Sequence, residues 1–427
     1  MLTSRGLSIR VCDGAPTSRV LFFKQFPETM WIIRGSASIQ LCKRPFLFQG
    51  FGLKSYSTKT FDPLRILFCG SDEFSIASLN ALHAYHLKHP ERISSIDVVC
   101  RPGKRVGRGL KQIREVPIKA AASALSLPVH EIDTFTGWKP PTSSNGPINL
   151  IIAVSFGRFV PPRILNGAKY GGLNVHPSIL PNFRGPAPLH HTLLAGETNT
   201  GVTVQTLHHE NFDHGTILSQ TPAPGFDVPN PDSCTVLELQ SLVAPKGARM
   251  LVESIERGLY VPPLKDVGWH SSEDKRELIH ASKINPEDRH IKWAEWTSAD
   301  INRRGRVIGP LWSKATCATS ATDGSPSFQQ KRVIFTDTEE IDPPFECRSF
   351  QKLPGLPFTD ASPSDEPGAG NIYVYTADAK VHRINRMKVE GQKDSAALPA
   401  ARKARMLGER TPQYENGELA PFHNSLV

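Results

Sequence analysis

The chain reads as α/β, with a Rossmann-like doubly wound, mostly parallel sheet leading and a smaller β-rich part behind it. Three observations carry that reading. Between residues 64 and 258, short apolar runs alternate with stretches of three- and four-residue apolar spacing, the strand–helix rhythm of a parallel sheet. One of those runs, residues 148–154, is apolar almost without interruption, as a strand buried on both faces requires. Beyond residue 283 the rhythm stops, and short strand candidates are separated by Pro-, Ser- and Asp-rich stretches.

Taken in order, residues 64–69 form an apolar strand closed by Gly70-Ser71. A helix follows, with Phe74, Ala77, Ala81, Leu82 and Tyr85 at the spacing of one face. Residues 94–100 read as the next strand, 117–127 as a helix, 128–132 as a brief strand and 148–154 as the buried one. Residues 189–195 begin a helix, 201–207 alternate like a strand, and 241–258 form an amphipathic helix. Residues 262–274, opening on Pro262-Pro263, read as a linker. A helix over 298–306 and strands over 332–336 and 371–376 follow, with residues 315–330 and 342–370 reading as inserted surface loops. In a doubly wound sheet, ligands bind outside the carboxyl ends of the strands.

At 427 residues, two folded parts and a leader are a fair expectation. The net charge of +9 is unevenly spread: residues 1–60 hold nine Arg and Lys against Asp13 and Glu28, whereas the rest holds 41 basic against 39 acidic residues. Basic, Ser-containing and nearly acid-free, with apolar pieces interrupted by charge, this leader has the composition of a mitochondrial transit peptide. The basic pI therefore says little about the folded part. The seven cysteines include no Cys-x-x-Cys pair, which argues against a disulfide framework or a zinc site. His190-His191, His208-His209 and His214 lack a completing carboxylate cluster, so no metal is expected. No run approaches the length of a membrane span, so no membrane insertion is expected.

The chemistry-bearing stretch runs Asn174-Val-His-Pro-Ser-Ile-Leu-Pro-Asn-Phe-Arg-Gly-Pro-Ala-Pro188, with Asp213-His-Gly farther on. Asn174 and His176, two apart on a strand, share one side. The prolines at 177, 181, 186 and 188 exclude regular structure beyond the strand end. An amide donor, an imidazole and a carboxylate are the parts needed to move an acyl group onto an amine. The amide can stabilise the tetrahedral oxyanion, the imidazole can donate or relay a proton, and Asp213 can act as base or orienter. The plainer alternative is a polar strand end followed by a Pro-rich turn.

The ordered string resembles the folate-dependent formyltransferases, and Arg184-Gly-Pro-Ala-Pro188 with Gly201-Val-Thr203 narrows the likeness to their methionyl-tRNA formyltransferase branch. Arg65-Ile-Leu-Phe-Cys-Gly-Ser-Asp-Glu-Phe74 looks like that family's opening strand and turn, and the basic stretch 101–114 stands where the branch has its basic loop. The resemblance implies a formyltransferase fold over 61–264, a linker over 265–282 and a tRNA-binding β-barrel (OB-like) over 283–427. It implies catalytic roles for Asn174, His176 and Asp213. It implies a folate pocket at Val154, Ser155, Phe156, Gly157, Ser178, Leu180 and Pro181, and tRNA contacts at Lys104, Arg105, Arg108 and Lys111. The implied donor is 10-formyltetrahydrofolate, consumed rather than resident. The implied acceptor is initiator Met-tRNA, in the mitochondrial matrix, with the enzyme a monomer. Alternatives are a formyltransferase or 10-formyltetrahydrofolate hydrolase acting on a small molecule, and a tRNA- or folate-binding relative without catalysis. Two departures from the family stand out: Glu210-Asn-Phe precedes Asp213 where Gly-Leu is usual, and the C-terminal part is divergent.

Overall fold

The computed structural model describes residues 59–143, 145–269, 277–320, 326–343, 352–360, 370–408 and Phe422. The expected leader lies outside them except for Lys59 and Thr60. Lys59 is already tied to the fold, its ammonium donating to the carbonyls of Val261 and Pro263. From Lys59 onward, the described residues belong to one compact unit.

The leading part runs β1 (Leu64–Gly70), α1 (Glu73–Lys88), β2 (Ile93–Cys100), the hairpin β3 (Lys104–Val106) and β4 (Gln112–Arg114), then α2 (Pro117–Ala124) and β5 (Val129–Glu131). A short ribbon of β6 (Thr142–Ser143) and β7 (Gly146–Pro147) leads to β8 (Leu150–Val154), α3 (Pro162–Leu165) and β9 (Gly172–His176). There follow α4 (Pro188–Leu194), β10 (Asn199–Thr200), β11 (Thr203–Thr206), β12 (Ile217–Gln220), β13 (Phe226–Asp227) and α5 (Val236–Glu256). Seven strands make the main sheet in the order β12-β11-β9-β8-β1-β2-β5. Pairing is parallel from β9 through β5 and antiparallel at β9–β11 and β11–β12. The chain winds outward from β1 to β5 and then returns to β8 and β9 on the other side. The switch point therefore lies between β1 and β8, and β9, which carries Asn174 and His176, is the next strand beyond β8.

All five residues of β8 are buried, because the sheet is covered on both faces: Ile152 packs in the cluster with Phe74 and Leu251, and Ile151 with Phe135 and Ile164. The face of α1 is turned from the expected one. Ser75, Ser78 and Leu79 are buried with Phe74 and Leu82, while Ala77 and Tyr85 only border the core. The Ser75 hydroxyl accepts from Ser71 N–H at 3.0 Å and donates to Asp72 O at 2.6 Å, and α1 packs against α5. A Cβ on Gly247 of α5 would lie 3.3 Å from Phe74 and 3.1 Å from Val175, so that helix is seated against both α1 and β9. The expected helix over 241–258 begins five residues earlier. Thr235 and Glu238 close a capping box that satisfies its first N–H groups, and exposed Pro245 is accommodated inside it. The strand over 201–207 does not alternate: Val202, Thr203, Val204 and Gln205 are all buried, because β11 has neighbours on both edges and α5 on one face.

The connector expected to be a linker is exposed over residues 262–269 and is held to the sheet edge by separate hydrogen bonds. Val267 N–H donates to Ile217 O at 2.9 Å and Trp269 Nε1–H to Thr221 O at 2.6 Å, satisfying carbonyls at the sheet edge. After residues 270–276, which lie outside the described set, Ile279 and Ala281 bond to the Pro-rich loop.

The C-terminal part contains α6 (Ser298–Ile308), β14 (Trp312–Ser320), β15 (Pro326–Ile341), β16 (Pro357–Thr359), β17 (Ile372–Tyr375), β18 (Val381–Val389), β19 (Ser395–Ala396) and α7 (Ala397–Ala404). The antiparallel sheet follows β14-β15-β18-β17-β16, with β19 on β18. Among the described residues the edge strands β14 and β16 do not pair, so the expected barrel is a curled half-barrel. Register shifts around Asp337 add to the bend of the long β15. The surface loop expected over 315–330 is instead strand: Ala315 to Ser320 and Pro326 to Gln330 are paired in a hairpin whose tip lies outside the described residues. Within 342–370, Leu356 and Phe358 are buried. The two parts are tied through α6, where Arg306 donates to Cys234 O at 3.1 Å and Pro231 O at 3.3 Å. Among the described residues, no helix is long and apolar enough to cross a membrane.

Candidate active site

β9 ends at the switch-point side of the sheet, and its alternation places Asn174 and His176 on one face. Across the ladder, Gln205 of β11 lies opposite Asn174 and Thr203 opposite His176. Thr203 fastens the loop that follows: its hydroxyl donates to Ser178 O at 2.8 Å and accepts from Leu180 N–H at 3.1 Å. The loop folds back so that Phe183, at φ 59, presents its carbonyl 2.9 Å from His176 Nε2.

Asp213 arrives from the turn after β11, at φ 58. Its Oδ1 is 3.4 Å from His176 Nδ1, and both side chains are nearly buried, 6% and 9% exposed. Oδ2 accepts from Gly185 N–H at 2.9 Å and Oδ1 from Gln205 Nε2 at 3.2 Å, while Arg184 Nε donates to the Asp213 carbonyl at 2.8 Å. Burial lowers the Arg184 guanidinium from its ordinary value, and the neighbouring Asp213 charge opposes that shift. Two glycines make the convergence possible. A Cβ on Gly215 would sit 1.7 Å from Thr206 O, and Gly185, at φ +124, would place one 2.4 Å from Ala281 O. The structure thus brings Asn174, His176 and Asp213 to one place. The Oδ1 of Asn174 is buried and has no protein partner.

The residues expected to line a folate pocket divide into two groups. Val154 to Gly157 leave the carboxyl end of β8, with Ser155 at φ 47 and Gly157 at φ +67. Ser155 hydrogen-bonds the Asp72 carboxyl, whose pKa is raised by burial against the hydrogen bonds from Ser75 N–H and Ser155. Phe156 packs at a tilt against Phe135 and lines a cavity of about 290 Å³ with Asp133, Thr134, Phe159 and Arg163. Ser178 and Leu180 are turned inward, the Ser178 hydroxyl donating to Asn182 O at 2.8 Å, and Pro181 follows them. A second cavity of similar volume lies between α6 and the C-terminal sheet, lined in part by Trp293, Phe335 and His382, and includes none of these residues.

The basic stretch forms a hairpin rather than a bare loop. Lys104 pairs with Arg114, Arg105 with Ile113, and Lys104, Arg105 and Lys111 are exposed. Arg108 begins the short 3-10 turn at its tip, but its side chain lies outside the described residues. Among the described residues, no group of three His, Cys, Asp or Glu gathers that could hold a metal.

Sequence reading missed Gln205, the Phe183 carbonyl and the Gly185 N–H. A polar side chain inside a run of buried β residues is a readable signal for the first. The other two are backbone groups and leave no signal in residue type.

Comparison with known proteins places this chain in a family. The formyl transferase family profile matches residues 64–235. The mitochondrial methionyl-tRNA formyltransferase of Saccharomyces cerevisiae is 31% identical over 305 residues, 64% of this chain and 74% of that protein. The human mitochondrial protein of the same name is 36% identical over 250 residues, 58% of each chain. The methionyl-tRNA formyltransferase of Syntrophomonas wolfei is 32% identical over 256 residues, 58% of this chain and 73% of its own. Among solved structures, an N-formyltransferase from Helicobacter canadensis superimposes loosely, with a TM-score of 0.44 at 15% identity, covering 75% of this chain and 98% of its own. With a relative above 30% identity matched over nearly three quarters of its length, the chain belongs to the methionyl-tRNA formyltransferase family.

Proposed function

We propose that this protein transfers the formyl group of 10-formyltetrahydrofolate to the α-amino group of initiator methionyl-tRNA in the mitochondrial matrix, and that Asn174, His176 and Asp213 carry the chemistry. The supporting observation is the 3.4 Å approach of Asp213 Oδ1 to His176 Nδ1, at a strand end where Asn174 shares the face of His176.

In the reaction, the amine nitrogen bonds to the formyl carbon and the bond from that carbon to the folate nitrogen breaks. The proton lost by the amine ends on the folate nitrogen that departs. His176 suits the relay. Its Nε2–H is engaged by Phe183 O, so in the neutral ring Nδ1 is the bare acceptor, and the imidazolium formed there faces the Asp213 carboxylate. Asn174 suits both sides of the tetrahedral intermediate. Its amide hydrogens can stabilise the oxyanion as it forms, and its carbonyl can accept as it collapses only if the amide turns, because Oδ1 is buried here. An α-amine titrates near about 7.7–8.0, so a fraction is nucleophilic at neutral pH, and orientation matters more than base strength.

The cavity beside Phe156 supports a flat ring near the end of β8; Val154, Ser155, Gly157, Ser178, Leu180 and Pro181 do not line it, and their folate contacts are read from the family resemblance alone. The exposed basic hairpin supports contact with RNA phosphates by Lys104, Arg105, Arg108 and Lys111. We read residues 61–264 as the catalytic domain, 265–282 as the connector, 283–427 as an RNA-binding domain, and the enzyme as a monomer. Residues 1–60 are read as the import signal. Their composition and the mitochondrial relatives support this, and removing residues 1–58 should abolish import and leave activity intact.

The test is formyl transfer by purified protein from 10-formyltetrahydrofolate to Met-tRNA, with glycinamide ribonucleotide or water offered as competing acceptors. Formylation confined to Met-tRNA is expected. Turnover with the small acceptor or with water alone would replace this reading with that of a small-molecule transferase or hydrolase.

A further inference from the structure

We propose that Gln205 is a positioning residue for formyl transfer, holding the Asp213 carboxylate so that one oxygen faces His176. The proposal rests on the roles assigned above to Asn174, His176 and Asp213.

Gln205 is 1% exposed on a strand whose neighbours Val202 and Val204 are fully buried. A carboxamide in such a place is costly unless its donors and acceptor are used. Chemistry decides which way the amide faces. Gly215 N–H can only donate, so the atom 3.0 Å from it is Oε1. Nε2 is thereby turned to Asp213, 3.2 Å from Oδ1, the same oxygen that lies 3.4 Å from His176 Nδ1. The other oxygen accepts Gly185 N–H at 2.9 Å. One donor on each oxygen fixes the plane of the carboxylate and leaves Oδ1 a lone pair toward the imidazole.

The turn itself has separate support. Thr206 N–H donates to Thr216 O at 3.0 Å, and Thr216 N–H donates to the Thr206 hydroxyl at 2.9 Å. Arg184 additionally holds the Asp213 carbonyl. Loss of the Gln205 amide should therefore free the carboxylate to rotate while the turn stays in place. The site accordingly needs a donor of this length opposite Asn174, and not merely a residue that fills the strand interior.

Gln205→Met keeps the length and apolar volume but removes both hydrogen bonds. Gln205→Glu keeps an acceptor for Gly215 N–H and sets a second carboxylate against Asp213. Turnover at saturating 10-formyltetrahydrofolate and Met-tRNA should fall about tenfold or more in the Met variant, the scale of a lost hydrogen bond to a charged group. It should fall further in the Glu variant. KM for both substrates should stay within about twofold, because an interaction that acts in the transition state lowers kcat without weakening ground-state binding. Combined with Asp213→Asn, Gln205→Met should add little, since it acts through that carboxylate. If Asp213→Asn loses turnover while Gln205→Met does not, the role given to Gln205 is wrong and the site reading stands. Rising KM for both substrates with unchanged kcat would make Gln205 a structural residue only. An Asp213→Asn enzyme with near-normal turnover would overturn the site reading and this proposal together.

Discussion

His176 is held from both sides: Nε2 lies 2.9 Å from the Phe183 carbonyl, and Nδ1 lies 3.4 Å from Asp213 Oδ1. The carbonyl fixes the tautomer and the carboxylate waits on the other nitrogen, an arrangement for accepting one proton at a defined atom. Phe183 itself is at φ 59, a conformation uncommon for a bulky residue. The connector supports it there: Phe183 N–H donates to Ile279 O at 2.8 Å, and Ala281 N–H donates to Arg184 O at 2.7 Å. The segment leading to the C-terminal sheet thus braces the loop that orients the imidazole.

His176→Ala and Asp213→Asn should each lower turnover by about 10²-fold or more, the scale of lost acid–base assistance. Donor affinity should change far less, since neither side chain lines the cavity beside Phe156. Single-turnover kinetics with separate folate titrations distinguish the two effects. Near-normal turnover in both variants would remove these residues from the chemistry.

How much of this was legible in the sequence depends on what kind of group does the work. The α/β order and the shared face of Asn174 and His176 follow from strand alternation, and the structure has both. Asp213 is 37 residues beyond His176, and residue spacing alone could not bring them together; the ordered string and its family resemblance did. Gly185 N–H and the Phe183 carbonyl are backbone groups, invisible to a reading of side chains. The face of α1 differs from its apolar spacing because Ser75 and Ser78 are buried although polar, and a reading of apolar periodicity passes over them.

Gly215→Ala should damage the fold as well as activity. The added methyl would meet Thr206 O at 1.7 Å, a backbone atom that cannot swing aside. Gly157→Ala makes the contrast: its φ of +67 is unfavourable for alanine, but nothing lies within 4 Å of the new Cβ. The second change should lower stability by about 1–2 kcal/mol, the cost of left-handed backbone, and the first by clearly more. Denaturant midpoints of the two variants decide the matter. Equal losses would mean the turn after β11 can shift freely.

Stability should fall as pH drops below the ordinary histidine value, in part through His382. This ring is 2% exposed, with Nε2 2.7 Å from the Ser298 hydroxyl, and burial lowers its pKa from the ordinary 6.5 against the opposing fields of Glu340 and Asp378; Lys380 also faces it. The sign is that of a folded value below the unfolded one. Its contribution is fully present above about 6.5 and is lost as pH falls toward the depressed folded value, because the unfolded chain takes up the proton first. Thermal midpoints measured from pH 8 to 5.5 should therefore decline less in His382→Gln than in the wild type. Parallel curves would exclude His382 as the source.

The basic hairpin should make RNA binding depend on salt in a countable way. Lys104 of β3 stands directly opposite Arg114 of β4, and like charges paired across a ladder oppose one another. A polyanion that neutralises both would relieve that repulsion as well as gain its own contacts, so the hairpin is better suited to a polyanion than to solvent alone. Lys104→Ala and Arg108→Leu should each weaken Met-tRNA binding and leave donor binding unchanged, because the hairpin follows β2, whereas Asn174 and His176 stand on β9. For the wild type, the logarithm of the binding constant should fall linearly with the logarithm of salt concentration. Each variant should show a slope shallower by up to about one phosphate contact. Slopes identical to the wild type, with unchanged acceptor KM, would take the hairpin out of RNA recognition and move that role to the C-terminal half-barrel.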